Sequence, residues 1–131
     1  MTELTEERIA QADEESVGKA YPVYVKNLKA MGVDNYEVAV SGHNRKFTSA
    51  TGQELSVQGQ LPKYICDKKL DTEALRISLK RMQLGLIDYP TFLGQIATAG
   101  VHTYIADLGG MNVTYKGRNA GDEYVEDIPS R

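Results

Sequence analysis

Two parts of the chain show the same order of helical and strand-like hydrophobic patterns. Apolar side chains recur at helical spacing in both parts, at Tyr24, Leu28 and Met31 in the first and at Phe92, Ile96 and Ala99 in the second. A tyrosine and a proline precede each set, and a glycine, Gly32 or Gly100, follows it. Proline suits the first turn of a helix, and glycine suits the position just after its last turn. We therefore predict a helix in each part.

A β-hairpin is predicted after each of these helices. The expected strands are residues 35–40 and 43–49 in the first part and residues 103–108 and 111–116 in the second, joined by two-residue turns at Ser41-Gly42 and Gly109-Gly110. Partners across a hairpin point to the same side of a sheet. The expected partners on the helix-facing side are Tyr36 with Phe47, Val38 with Arg45, Val40 with His43, Tyr104 with Tyr115, Ala106 with Val113, and Leu108 with Met111.

Further elements complete the prediction. A helix over residues 5–17, with Thr5 as its N-cap, precedes the first proline helix, and a helix after the N-cap Asp71 precedes the second. Gly18 and Gly85 separate the helices of each pair, Tyr64 and Ile65 suggest a short strand, and residues 122–128 suggest a last strand closed by Pro129. The predicted fold class is α+β, with helices on one face of a largely antiparallel sheet.

A shift of 68 positions aligns the two parts. The identities are Tyr21/Tyr89, Pro22/Pro90, Gly32/Gly100, Val33/Val101, Tyr36/Tyr104 and Gly42/Gly110, and Ile9/Ile77 extends the shift upstream. We interpret the chain as a single domain over residues 1–131, made of two helix-helix-hairpin units over about 5–58 and 73–128.

Composition and charge narrow the class of protein. The 131 residues are 41% hydrophobic and carry a net charge of −3, which disfavours nucleic acid as a partner. Cys66 is the single cysteine, so a disulfide framework is excluded. No long apolar run suggests a membrane span, and the acidic residues 1–8 do not resemble a signal peptide. We expect a cytoplasmic protein without a membrane partner.

Motifs for catalysis, phosphate binding and metal binding are not found in the sequence. It has no phosphate loop, dinucleotide fingerprint, zinc-protease helix or nucleophile elbow. Asp88 and Asp107 could supply carboxylates to a metal, but nothing spaces them as ligands. Cys66 beside a short apolar segment is expected to be half-buried and inert. We predict no catalytic residue, no cofactor and no metal.

His43 and Arg45 are the main candidates for a binding site. They occupy the positions of Met111 and Val113 in the other unit, so one copy is polar where the other is apolar. Either His43 and Arg45 lie at the rim of the sheet, with the stem of Arg45 packed and its head in water, or the pair lines a cleft between the units and holds an anionic or carboxylate ligand through the guanidinium fork. His102 and Asp107 are further candidates, although strand alternation puts Asp107 on the opposite face.

Several segments resemble the YbcV-like family, a domain of unknown function numbered 1398. They are Tyr21-Pro-Val-Tyr-Val, the run from Leu79 to Phe92 that contains Gly-Leu-Ile-Asp-Tyr-Pro, Met111-Asn-Val-Thr-Tyr115 and the ending Glu126-Asp-Ile-Pro129. The resemblance implies a small bacterial cytoplasmic protein, in some members of prophage origin and loosely labelled a phage envelope protein. It brings no activity, cofactor or catalytic residue.

These observations favour a binding or interaction module over an enzyme. An exposed sheet edge or the cleft between the units would engage another protein or a second copy. The alternative is a small-molecule-binding protein or minor enzyme that uses the cleft, with a ligand of unknown identity contacting His43, Arg45, His102 and Asp107.

Overall fold

A computed structural model describes residues 4–16, 21–59, 64–66, 69–119 and 121–128 of the chain. The described part holds four helices and six strands, in the order helix, helix, strand, strand, strand in each half. The elements of the first half are α1 (Glu6–Glu15), α2 (Tyr21–Ala30), β1 (Val33–Ala39), β2 (Arg45–Ser49) and β3 (Glu54–Val57). Those of the second half are α3 (Thr72–Gln83), α4 (Tyr89–Thr98), β4 (Thr103–Asp107), β5 (Asn112–Lys116) and β6 (Glu123–Asp127).

The six strands form one antiparallel sheet in the order β3-β2-β1-β4-β5-β6. Each half contributes three adjacent strands, and β1 pairs with β4 at the centre. In this pairing Asn35 is opposite Asp107, Glu37 is opposite Ile105 and Ala39 is opposite Thr103. The pairing is symmetric about Glu37 and Ile105, whose positions differ by the same 68 residues as the sequence match.

One face of the sheet is buried and the other is largely exposed. The strands alternate between buried and accessible residues, as expected for a sheet covered on one side. Tyr36 and Phe47 are fully buried on the covered face, with Leu28, Ile96 and other apolar side chains of the helices in the same core. The predicted α+β class is confirmed.

The predicted hairpin registers are confirmed. Tyr36 lies opposite Phe47, Val38 opposite Arg45, Tyr104 opposite Tyr115 and Ala106 opposite Val113. The β4–β5 ladder ends one pair earlier than predicted and the β1–β2 ladder two pairs earlier, so residues 108–111 and 40–44 connect the strands in place of two-residue turns. Within these connections, His43 and Met111 have left-handed backbones with φ of 64° and 55°.

The predicted helix caps are also confirmed. The Thr5 side chain accepts a hydrogen bond from the amide of Arg8, and Asp71 accepts one from Ala74. Gly32 and Gly100 follow α2 and α4 with φ of 89° and 93°. Asp88, weighed above as a metal ligand, caps α4 by accepting from the amide of Thr91. Hydrogen bonds with the Thr91 side chain and then with its amide lower the pKa of Asp88, because they favour the charged carboxylate.

Some of the predicted detail is wrong. Tyr64 and Ile65 do not form a strand; instead the Tyr64 hydroxyl donates to the carbonyl of Pro90 at 3.0 Å. Strand β3 was not predicted. Ile9 is fully buried whereas Ile77 is 45% exposed, so these two residues do not share a position in the fold.

The N-caps Thr5 and Asp71 are 66 residues apart. A shift of 66 residues therefore aligns the first helix of each half better than the shift of 68 does. It matches Ile9 with Leu75, both fully buried. Val17, Gly18 and Pro129, which bounded predicted elements, lie outside the described residues. The internal duplication stays a prediction, and the shared element order and symmetric central pairing are consistent with it.

Candidate functional site

Arg45 lies in a polar cluster at the helix-facing side of β2. Its Nη1 and Nη2 atoms donate to the two carboxylate oxygens of Asp13 on α1, at 3.0 and 2.9 Å. Nη1 also donates to the hydroxyl of Tyr24 on α2 at 3.1 Å. The side chain of Arg45 is only 11% exposed and that of Asp13 is 35% exposed. The guanidinium fork is therefore filled by a carboxylate of the same chain.

The environment of Arg45 favours its charged form. Its guanidinium carbon lies 5.3 Å from the centroid of the Phe47 ring, a cation–π contact. Burial disfavours the cation, but the hydrogen bond to Asp13 and the attraction of Tyr24 and Asp13 outweigh it, so the pKa of Arg45 rises. Its Nε atom is a buried donor without a hydrogen-bond partner among the described residues.

His43 joins the two halves of the molecule through a chain of hydroxyl groups. Its Nε2 atom is 3.0 Å from the hydroxyl of Tyr89 on α4, and that hydroxyl forms a hydrogen bond with the hydroxyl of Tyr104 on β4. The left-handed backbone of His43 places its ring against Tyr89, with the ring centroids 5.2 Å apart. Residues of α1, α2, β2, α4 and β4 thus meet in this region.

Burial shifts the titration of His43 and the tyrosines away from neutral pH. Burial, and then the cation of Arg45, lower the pKa of His43 to about 4. Burial also raises the pKa of Tyr104 to about 12 and that of Tyr24 further still. At neutral pH the imidazole and both phenols are therefore uncharged. General acid–base catalysis works best with a pKa near the working pH, and these shifts lead away from it.

The other sequence candidates lie elsewhere. Asp107 is exposed at the end of β4, opposite Asn35, and its carboxylate accepts a hydrogen bond from the amide of Gly110 in the hairpin turn. It lies on the open face of the sheet and at the other end of β1 from Arg45. His102 precedes β4, and its backbone bonds to Val40 and Lys116. The structure thus brings His43 and Arg45 together and does not bring Asp107 to them.

Cys66 is half-buried, and burial raises the pKa of its thiol. A raised pKa reduces the fraction of reactive thiolate. Within the described ranges, no group of three His, Cys, Asp or Glu side chains is arranged to hold a metal ion.

The equivalent region of the second half is apolar. With shifts of 66 residues for the first helices and 68 for the rest, Asp13, Tyr24, His43 and Arg45 correspond to Leu79, Phe92, Met111 and Val113. Leu79, Phe92 and Val113 are buried in the core. Under the predicted duplication, a hydrophobic cluster fills this position in the second half, and the polar version is a feature of the first half.

Sequence reasoning missed four members of the cluster. Tyr89 and Tyr104 each have a tyrosine counterpart in the other half, and Tyr24 lies among the apolar positions of a helix, so the sequence indicates packing rather than a site for all three. Asp13 was not singled out. Its signal is a carboxylate four residues after the buried Ile9, on the face of α1 that packs inward.

The fold and the cluster define a class: an antiparallel sheet covered by two helix pairs, with a polar cluster where the halves meet. The model of the family described as a protein of unknown function (DUF1398) matches residues 10–127, and the chain belongs to this family. No curated protein matches the sequence. None of the described helices is long and apolar enough to cross a membrane.

Proposed function

We propose that the protein is a binding module that pairs strands with another chain, and that its β3 edge joins the β3 edge of a second copy. The observation that carries this proposal is the sheet order, in which β3 and β6 are the two outer strands of the described sheet. An outer strand presents unpaired amide and carbonyl groups, which can template the addition of another strand.

The hydrogen-bond pattern identifies the groups that β3 presents. The amide of Ser49 donates to the carbonyl of Gln53 at 2.8 Å, where the β2–β3 hairpin closes. Bonded and non-bonded pairs alternate along an antiparallel ladder. Leu55 and Val57 therefore bond toward β2, while the backbone groups of Glu54 and Ser56 point away from the sheet.

The side chains of β3 suit self-pairing. A two-fold axis through Ser56 would place Leu55 opposite Val57 of the second copy and Glu54 opposite Gln58. Leu55 and Val57 are half-buried at the rim of the core, so this contact would extend the hydrophobic layer. It would place no like charges opposite each other, which is favourable for a cross-strand pair.

The β6 edge is less suited to self-pairing. A two-fold axis through Val125, at its middle, would place Glu123 opposite Asp127 of the second copy. Like charges directly opposite each other destabilise a sheet. The acidic residues of β6 therefore protect that edge, and β3 is the edge we expect to associate.

Sedimentation velocity over a range of protein concentrations tests the proposal with two matched proline variants. Ser56→Pro removes an outward amide of β3, and Val125→Pro removes the corresponding outward amide of β6, each without removing a bond to the neighbouring strand. We expect a concentration-dependent dimer for the wild type and Val125→Pro, and a monomer for Ser56→Pro. A wild type that stays monomeric, or a Ser56→Pro variant that dimerises equally, would refute the proposal.

Small-molecule binding or catalysis between the halves has less support. Asp13 already occupies the fork of Arg45, so an external carboxylate would have to displace it. We also propose a cytoplasmic location and a prophage origin, and both proposals rest on the family resemblance.

A further inference from the structure

An open groove lies between α3 and α4. It has a volume of about 510 Å³ and is lined by small residues such as Ala74 and Ser78. Two polar side chains of the groove pair with each other, since the Ser78 hydroxyl donates to Oε1 of Gln95 at 2.9 Å. Small side chains between two helices leave room for a third helix to approach closely.

The rim of the groove is apolar and cationic. Ile77 and Arg81 line it from α3, and Ile77 is 45% exposed. Leu84, at the end of α3, is 63% exposed, and Leu86 in the connection to α4 is 69% exposed. Ile77, Arg81 and Leu84 follow one another at spacings of four and three residues, which places them on one side of the helix.

The groove between α1 and α2 provides an internal comparison. It is smaller, about 230 Å³, and is lined mainly by polar residues such as Arg8, Gln11 and Glu15. All the exposed large hydrophobic residues in the described part of the chain lie at or beyond position 65. The combination of exposed hydrophobic side chains with an open groove is therefore specific to the second helix pair.

The positive charges on α3 favour an acidic partner. Helix α3 carries Arg76, Lys80 and Arg81 against one glutamate, Glu73, which already bridges Arg76 at 3.6 Å. Helix α4 carries no charged residue. In the described chain no carboxylate lies within salt-bridge distance of Arg81. A carboxylate from a partner could pair with Arg81 while apolar side chains contact Ile77 and Leu84.

We propose that the α3–α4 groove binds an acidic amphipathic helix of another protein. Helix α4 has 10 residues, so the groove matches about three turns of a partner helix, roughly 15 Å. Helix α1 of a second copy is acidic but offers no apolar anchor, because Ile9 and Ala12 are buried in its own core. An anionic membrane would contact a protruding apolar face rather than a concave groove.

Two synthetic helical peptides of equal length test the proposal, both with leucines at helical spacing and with either glutamates or lysines at the other positions. Binding is followed by NMR titration of the full chain. We expect the glutamate peptide to bind, with shifts confined to α3 and α4. Lys80→Glu combined with Arg81→Glu should weaken its affinity about five- to ten-fold and should favour the lysine peptide instead. Arg8→Glu in the other groove is the matched control and should change neither affinity.

Other results would overturn the proposal. These are equal binding of the two peptides, shifts that map outside α3 and α4, no saturable binding, or an unchanged preference after the charge reversal. Binding of the wild type to anionic vesicles without binding to the glutamate peptide would assign the surface to membranes instead. Ile77→Ser should weaken peptide binding without changing the oligomeric state, because the groove and β3 lie on different elements.

Discussion

At the scale of single residues, the predicted duplication implies that the fold does not require the polar cluster around Arg45. Its counterparts in the second half are apolar, and replacing a buried ion pair by packed hydrophobic residues is often neutral or stabilising. Removing only one partner has the opposite effect, because it leaves a buried charge without compensation. A single substitution should therefore destabilise the protein, whereas the combined substitution should be close to neutral.

We predict that Asp13→Leu alone lowers the free energy of unfolding by about 2–3 kcal/mol, less than for a fully buried pair because Asp13 is 35% exposed. The combined variant Asp13→Leu, Tyr24→Phe, His43→Met and Arg45→Val, which copies the second half, should regain most or all of this loss. Urea denaturation measures both variants. A combined variant less stable than the single one would show that the halves are not equivalent here.

The lowered pKa of His43 predicts that the free energy of unfolding depends on pH. Its pKa is lowered from 6.5 in the unfolded chain to about 4 in the fold, first by burial and then by Arg45. The contribution of His43 to the free energy of unfolding is complete above pH 6.5 and is lost as the pH falls toward about 4. The reason is that its imidazole binds a proton more tightly in the unfolded chain than in the fold.

Denaturation between pH 4 and 7 should show this loss in the wild type and a flatter profile in His43→Asn, a variant whose side chain tolerates the left-handed backbone. His102→Asn controls for the removal of a histidine. An equal slope in the wild type and His43→Asn would rule out His43 as the source.

The sequence identified His43 and Arg45 because a hairpin register fixes which residues share a face. It could not identify their partners. Asp13 and Tyr89 reach the cluster from α1 and α4, and helix packing against a sheet is set by the whole core rather than by local spacing.

At the scale of elements, Gly32 and Gly100 end α2 and α4 in the same left-handed conformation but in different surroundings. A Cβ at Gly32 would meet nothing within 4 Å, whereas one at Gly100 would lie 2.2 Å from the carbonyl oxygen of Lys69. Gly32→Ala should lower the free energy of unfolding by about 1 kcal/mol, through backbone strain alone. Gly100→Ala should cost about 1–3 kcal/mol more, because backbone must move.

Thermal or urea unfolding of the two alanine variants compares these costs directly. Equal destabilisation of Gly32→Ala and Gly100→Ala would contradict the close contact between the backbone of Lys69 and Gly100.

Helices and hairpins could be predicted from sequence because their signals are local: caps, a proline, a glycine and the alternation of side chains. Strand β3 was missed because four residues, Glu54–Val57, give too short an alternating pattern. Tyr64 and Ile65 show the opposite error, since their composition predicts a strand that does not form. Their β-like composition reflects a tyrosine that packs against α4 at Gly94 rather than a strand.

At the scale of the whole molecule, the sheet order determines which surfaces are available. Pairing of β1 with β4 places the two halves side by side and leaves β3 and β6 as the outer strands. No local pattern specifies this pairing, since the paired residues are about 70 positions apart and are selected by burial of a shared face. Acidic residues on β6 then leave β3 as the edge suited to self-association.

Cysteine cross-linking at position 56 tests this assignment most directly. In a Cys66→Ser background, Ser56→Cys should form an intermolecular disulfide under mild oxidation, because a dimer axis through residue 56 brings the two Cα atoms to about 5.5 Å, within disulfide range. Val125→Cys in the same background is the matched control on β6 and should remain largely monomeric. Cross-linking at position 125 that equals or exceeds that at position 56 would contradict the account.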